Sequence, residues 1–183
     1  MKTVFLVTHG EKETFDHDGR TIPNPGMTME GQKRVKSLLP ELRKILAGDP
    51  AGILVGTGKR HKQVLFALGF TDRQPTFSPI FGGPETLIEV GDEKQVVLAS
   101  GRPIPWKSYR VDWMKPALEA ALREIPDKSL ICSGRPVLVR LGMAPKKCQN
   151  GALYAIRVDD DGSTHIELLV DGVNLMGHEE AAT

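Results

Sequence analysis

The chain has 183 residues, of which 40% are hydrophobic, and this length and composition suit one domain with a full hydrophobic core. Its 24 lysine and arginine residues nearly balance its 23 aspartate and glutamate residues, so the formal net charge is +1. This balance excludes the broad basic surface that attracts nucleic acid or anionic membranes. We therefore predict a single domain over residues 1–183, with no nucleic-acid or membrane partner, in which any phosphate recognition is local.

The N-terminal apolar run covers only residues 4–7, which is too short for a secretory signal or a membrane span. The two cysteines, Cys132 and Cys148, lack the paired spacing of a zinc site and are too few for a disulfide framework. These features predict a cytoplasmic protein whose cysteines are reduced.

Short apolar runs alternate with helical patterns along the chain, which is typical of an α/β sheet with crossover helices. Four runs are rich in β-branched residues and are followed by glycine or other small residues. Such runs indicate central strands that are buried on both faces. The predicted central strands are residues 3–8, 53–57, 96–100 and 129–133.

The helical patterns lie between these strands. Thr28 can cap a first helix, whose apolar positions recur with helical spacing until Gly48. A second helix is predicted over residues 59–68 and a third over residues 116–125.

Two further segments complete the chain. The runs 152–158 and 164–170 flank the turn sequence DDDG and predict a hairpin at the edge or end of the sheet. The segment 71–115 begins with a stretch rich in proline and glycine and is long for a plain connection, so we expect an irregular lid or insertion.

Polar residues and glycines follow the predicted strands at the positions where ligands bind in open α/β sheets, outside the carboxyl ends of the strands. Imidazole, guanidinium and backbone N–H groups at glycine-containing turns are the groups that bind phosphate. A neutral imidazole can also attack phosphorus when its other nitrogen donates to a carbonyl. The candidate residues after the first, second and fourth strands are Thr8, His9, Gly10, Arg60, Ser133, Gly134 and Arg135.

Several of these positions resemble motifs of the histidine phosphatase superfamily, in its phosphoglycerate mutase-like branch. Residues 4–11 (VFLVTHGE) are similar to its strand and RHGE motif, with Thr8 in place of the arginine. Met27 and Thr28, followed by Gly31, are similar to its LTxxG helix start.

Three later segments continue the resemblance in the same order, up to about residue 142. Residues 56–63 (GTGKRHKQ) resemble the second phosphate-binding segment, with Arg60 followed three residues later by glutamine. Leu87 and Glu89 resemble the LxE of the region that often supplies the proton donor. Residues 129–138 (SLICSGRPVL) resemble the strand that ends in a second histidine, whose place Ser133 takes here.

The resemblance implies a three-layer α/β/α fold with a mostly parallel central sheet. It also implies a phosphomonoester hydrolase in which His9 accepts the phosphoryl group and Arg60 holds its oxygens. Glu89 is the first choice for the acid that protonates the leaving oxygen, and Glu85 is the second. No metal and no cofactor is implied, and the expected partner is a phosphorylated small molecule or a phosphoprotein.

The departures from the motifs predict a weaker site. Thr8 and Ser133 cannot supply the charges of an arginine and an imidazolium, and each missing charge-assisted contact is worth about 1.5–3 kcal/mol. The joint loss corresponds to roughly a hundred- to ten-thousandfold in rate. Arg135, two residues after Ser133, is a candidate for restoring a charge. The alternative function is therefore an impaired phosphatase-fold protein that binds a phosphorylated ligand or a protein partner.

Overall fold

A six-stranded sheet forms the centre of the computed structural model, which describes residues 1–108 and 114–172 except for the side chains of Glu89 and Lys107. Four strands of this sheet are parallel, and the last two are antiparallel, as predicted for the terminal hairpin. In spatial order, the strands are β3 (Thr76–Phe77), β2 (Ile53–Val55), β7 (Leu130–Ser133), β1 (Lys2–Thr8), β8 (Leu153–Val158) and β9 (Thr164–Val170).

Helices cover both faces of this sheet. One face packs against α1 (Met29–Lys36), α2 (Leu39–Leu46) and α3 (Lys59–Leu68), and the other packs against α4 (Met114–Glu124) and α5 (Arg135–Arg140). Successive residues of a strand point to opposite faces, and the side chains of β1 therefore enter both cores. The predicted three-layer architecture with a mostly parallel sheet is confirmed. None of the helices in the described ranges could cross a lipid bilayer.

The first predicted helix is two helices. The chain leaves the helical hydrogen-bond pattern at Ser37 and Leu38, where the Leu38 N–H donates to the Val35 carbonyl three residues back. Pro40 lies at the start of α2 and has no N–H to continue the helix. A proline inside a helical pattern removes a hydrogen bond and breaks the helix, which explains the division.

The prediction of a central strand at residues 96–100 was wrong. Val96 and Val97 end β5 (Glu93–Val97), which lies in a separate antiparallel sheet between β4 (Thr86–Val90) and β6 (Pro103–Pro105). Gly91, with a φ of 61°, turns the chain between β4 and β5. The described part of the segment 71–115 thus contains four strands, counting β3, although an irregular lid was predicted there.

The register of the central sheet brings three strand ends to one level. Thr8 of β1 lies opposite Ser133 of β7, and Val55 of β2 lies opposite Cys132. The His9 N–H extends the ladder by donating to the Ser133 carbonyl, at 2.8 Å. The residues that follow these strands therefore meet at one edge of the sheet.

Candidate functional site

His9 follows β1 directly, and its side chain is buried. Its Nδ1 lies 2.8 Å from the Gly10 carbonyl oxygen, and in the tautomer that fits this contact Nδ1–H donates to that oxygen. Burial, followed by the charges of Arg60 and His61, holds the pKa of His9 well below its ordinary value of 6.5. The imidazole is therefore neutral, and Nε2 carries the lone pair that a nucleophile needs.

Gly10 is required by packing. A Cβ at Gly10 would lie 2.3 Å from the Gly31 carbonyl oxygen, and a Cβ at Gly31 would lie 2.3 Å from the Glu11 carbonyl oxygen. The two glycines thus let the end of β1 contact the first turn of α1. The Gly10 N–H points to Met27 Sδ, at 3.1 Å, so the predicted phosphate ligand donates to a thioether instead.

Arg60 lies in the first turn of α3, and its guanidinium is buried. Nη2 donates to the carbonyl oxygens of Glu85 (2.7 Å) and Gly83 (3.3 Å). Nε and Nη1 are buried and have no hydrogen-bond partner among the described residues. Burial lowers the pKa of Arg60 to about 10, although the charge of Glu85 opposes this shift. Two unused donors on a buried cation are suited to a bound oxyanion.

His61 is a site residue to which the sequence analysis assigned no role. Its ring is buried, with the ring centroid 5.7 Å from that of His9 and the two planes tilted by 44°. Burial, followed by the charge of Arg60, holds the pKa of His61 well below 6.5. The cluster of glycines in residues 56–58 was the only local signal that a bulky group packs there.

Gly134, a predicted site residue, lies next to both imidazoles. A Cβ built on Gly134 would lie 3.1 Å from His9 Nε2 and 3.5 Å from His61 Nε2. The space above the Gly134 Cα is therefore within contact distance of both nitrogens.

Lys12 is a second site residue that the sequence analysis did not single out. Its ammonium donates to Thr86 Oγ1 and, at 3.3 Å, to the Leu87 carbonyl oxygen. Burial, followed by the charges of Arg60 and Arg135, lowers the pKa of Lys12 to about 7. Arg135, the predicted compensating charge, thus lies close enough to Lys12 for the two charges to interact.

The hydroxyls of Thr8 and Ser133 hydrogen bond to backbone groups. Thr8 Oγ1 donates to the Gln149 carbonyl, at 2.8 Å, and accepts from the Ala152 N–H, at 3.0 Å. Ser133 Oγ donates to the Phe81 carbonyl. Each predicted phosphate ligand therefore has its hydroxyl proton engaged within the fold.

The two candidate acids are close together in the sequence. Glu85 directly precedes β4, the first strand of the smaller sheet, and Glu89 lies within β4. Glu85 is half-buried, and its Oε2 lies 2.0 Å from the position of a Cβ on Gly83, so the carboxylate covers the Gly83 Cα. Glu89 pairs with Lys94 across β4 and β5, and its side chain lies outside the described part of the chain. Among the described residues, no group of three His, Cys, Asp or Glu side chains could hold a metal ion.

We compared the sequence and the structure with those of known proteins. No protein-family model matches the sequence, and no curated protein sequence matches it. Solved structures do match. A putative alpha-ribazole-5′-P phosphatase from Escherichia coli is 15% identical with a TM-score of 0.62, over 93% of this chain and 98% of that one. The protein histidine phosphatase SixA, complexed with tungstate, is 18% identical with a TM-score of 0.56, over 92% and 96%.

A third match is a mycobacterial glucosyl-3-phosphoglycerate phosphatase, which is 9% identical with a TM-score of 0.60, over 92% of this chain and 97% of that one. All three matches extend over nearly the whole of both chains. The chain therefore has the phosphoglycerate mutase-like fold of the histidine phosphatases.

Proposed function

We propose that this chain is a phosphomonoester hydrolase that forms a phosphohistidine at His9. The observation that carries this proposal is the state of the His9 ring: Nδ1 is held by the Gly10 carbonyl, and Nε2 adjoins the space above Gly134. A neutral imidazole in this tautomer is a nucleophile. The three matched structures named above, all described as phosphatases, support the same reaction class.

In the first step, His9 Nε2 attacks phosphorus and the bond to the ester oxygen breaks. The leaving oxygen takes the electron pair of that bond and a proton from a carboxylic acid. In the second step, water attacks phosphorus, the P–N bond breaks, and the carboxylate takes the proton of the water. Inorganic phosphate leaves, and His9 is neutral again.

Arg60 and Lys12 are assigned to the phosphoryl oxygens. Arg60 Nε and Nη1 supply two buried donors that no described residue uses, and Lys12 lies close enough for the two charges to interact. Cationic donors aimed at the transferring group stabilise its charge, which is the largest contribution in many such sites. The proposed ligand set therefore replaces the strand-end hydroxyls with side chains from α3 and from the segment after β1.

Glu85 and Glu89 are assigned as the alternative acids. The described contacts favour Glu85, because its carboxylate covers Gly83 and its charge acts on Arg60. Separate Glu85→Gln and Glu89→Gln variants distinguish them. The variant of the true acid loses turnover of an alkyl phosphate, whose leaving group needs a proton, more than turnover of an activated aryl phosphate.

The substrate class is a phosphate monoester, carried by a small molecule or by a protein. The test is turnover of an aryl phosphate by the purified chain and by His9→Ala, with mass spectrometry for a trapped phosphoryl group. His165→Ala is the matched control, because that side chain is 72% exposed on β9. Turnover and label that are lost only in His9→Ala support the proposal. Turnover that persists in His9→Ala contradicts it.

A second candidate is a phosphate-binding protein without turnover. The engaged hydroxyls of Thr8 and Ser133 favour it, because neither can supply a free donor or a charge. Phosphate binding that depends on Arg60, together with no turnover of aryl or alkyl phosphates and no label on His9, would identify this function.

A further inference from the structure

We infer that His61 is a second catalytic imidazole, which contacts the phosphoryl group through Nε2 and supplies the positive charge that Ser133 cannot. The inference rests on the proposed phosphate site and assigns one further residue within it. Nothing in the strand-end motif requires this residue, since it lies on α3, next to Arg60.

Glycines enclose the His61 ring. A Cβ at Gly56 would lie 2.4 Å from His61 Nδ1, one at Gly58 would lie 3.0 Å from Nδ1, and one at Gly82 would lie 2.5 Å from Cε1. Real Cβ atoms do not approach heavy atoms as closely as at Gly56 or Gly82, so both positions accept the ring only as glycine. The glycines thus confine the plane of the imidazole ring.

His61 Nε2 lies on the side of the ring that faces His9. The Cβ position on Gly134 is 3.5 Å from His61 Nε2 and 3.1 Å from His9 Nε2. An oxygen of a phosphoryl group bound above Gly134 would therefore lie near both nitrogens.

The other ring nitrogen faces the backbone of the turn that precedes β4. Nδ1 is buried and has no hydrogen bond of ordinary geometry with any described residue, and the Gly82 backbone acts on the ring to favour its protonated form. Burial, followed by the positive charges of Arg60 and Lys12, opposes protonation of His61 when no anion is bound. A bound phosphate reverses this balance. His61 then takes one proton from solvent and donates Nε2–H to a phosphoryl oxygen.

Ser133 contributes to the same arrangement. Its hydroxyl donates to the Phe81 carbonyl, and that oxygen lies 2.8 Å from the Cβ position on Gly56, beside the His61 ring. The small side chain at position 133 thus anchors the turn that encloses the ring. A serine at the strand end and a histidine on α3 are in this way parts of one arrangement.

The experiment is a phosphate titration of the full chain labelled with ¹⁵N-histidine, followed through the imidazole nitrogens at pH 7.5. His61→Ala assigns the His61 signals, and His165→Ala and His17→Ala identify the exposed rings. We expect saturating inorganic phosphate to convert His61 from a neutral ring to an imidazolium, with both of its nitrogens in the protonated range. A purely structural ring would keep its neutral signals, and that result would overturn the inference.

Affinity provides the second readout. We expect His61→Ala to weaken the binding of inorganic phosphate by about 10- to 100-fold, because it removes one charge-assisted hydrogen bond. Free imidazole should partly restore binding by entering the glycine-lined cavity, whereas His165→Ala should bind as the parent does. If His61→Ala fails to fold, single substitutions of His9, His17, His165 and His178 assign the His61 signals by difference, so the titration of the parent protein stays decisive.

The outcomes separate the two proposals. Phosphate binding that depends on Arg60 but leaves the His61 signals and the His61→Ala affinity unchanged overturns the role of His61 and leaves the phosphatase proposal in place. A parent protein that binds no phosphate overturns both.

Discussion

The strand ends and the start of α3 meet at the same site, but their polar side chains differ in whether the fold satisfies their hydrogen bonds. Thr8 and Ser133 at the strand ends give their hydroxyl protons to backbone carbonyls. Arg60 at the start of α3 keeps two buried nitrogens for which the described residues offer no partner, and the neighbouring His61 presents Nε2 on the side of Gly134. Buried polar groups are normally satisfied, and each exception calls for an explanation. We infer from this difference that the side chains at the start of α3 bind the phosphate, whereas the hydroxyls at the strand ends stabilise the fold.

The largest expected effect is at Arg60. Arg60→Gln removes the buried charge and the two unused donors, and we expect phosphate affinity to fall by about 100- to 1000-fold. Arg73→Gln is the matched control, since its guanidinium pairs with Asp49 on the surface. Isothermal titration with inorganic phosphate measures both. An Arg60→Gln affinity within threefold of the parent would contradict the assignment of phosphate binding to α3.

The next effect is expected at Gly134, where the two regions meet. The Gly134 φ of −138° suits any residue, and the nearest atoms to an added Cβ belong to the two imidazoles. We expect Gly134→Ala to change the free energy of unfolding by less than about 1 kcal/mol and to weaken phosphate binding by at least about 10-fold, because the methyl group occupies the proposed phosphate position. Chemical denaturation and phosphate titration test the pair of results. Unchanged phosphate affinity would show that phosphate does not bind next to Gly134.

Lys12 separates stability from binding. Its pKa of about 7 in the fold lies below its ordinary value of 10.5, so between these values the unfolded chain holds more protons and stability rises with pH. We expect Lys12→Met to abolish that slope and to stabilise the protein at pH 6 by about 1–3 kcal/mol, while phosphate affinity falls by about 10-fold. Urea unfolding at several pH values measures the slope. A destabilised variant, or an unchanged slope, would contradict the burial of an ammonium at this position.

The smallest effect on affinity is expected at the strand ends. Thr8→Val leaves the Ala152 N–H without its acceptor and should cost about 1–3 kcal/mol of stability. We expect phosphate affinity to stay within about twofold of the parent in Thr8→Val and in Ser133→Ala. Phosphate titration at a temperature where each variant is fully folded makes the comparison. A tenfold loss of phosphate affinity in Thr8→Val would show that the end of β1 contributes to phosphate binding.

Local patterns in the sequence predicted much of this fold. The predicted helix over residues 59–68 has the bounds of α3, and the terminal hairpin lies at the end of the sheet. The strand ends were predictable because buried parallel strands are continuous apolar runs followed by small residues. Residues 96–100 have the same composition, but only Val96 and Val97 lie in a strand, which pairs with the neighbouring β4, and no local pattern distinguishes the two sheets.

The site was predicted in part for a related reason. His9, Arg60 and Gly134 were found because each follows a strand that could be recognised. His61 and Lys12 were not, because their environments depend on residues that lie far away in the sequence. Gly82 makes room for the His61 ring, and the Thr86 hydroxyl accepts a hydrogen bond from the Lys12 ammonium. The role of each residue depends on the tertiary contact, which spacing alone does not contain.

The low pKa of Lys12 has a consequence for the heat of binding. Lys12 and His61 are held wholly or partly neutral when no anion is bound. A phosphate dianion favours their charged forms, so each complex that forms draws protons from the buffer. The enthalpy of binding should therefore differ between buffers in proportion to their ionisation enthalpies. The slope of that dependence counts the protons that enter the site with the ligand.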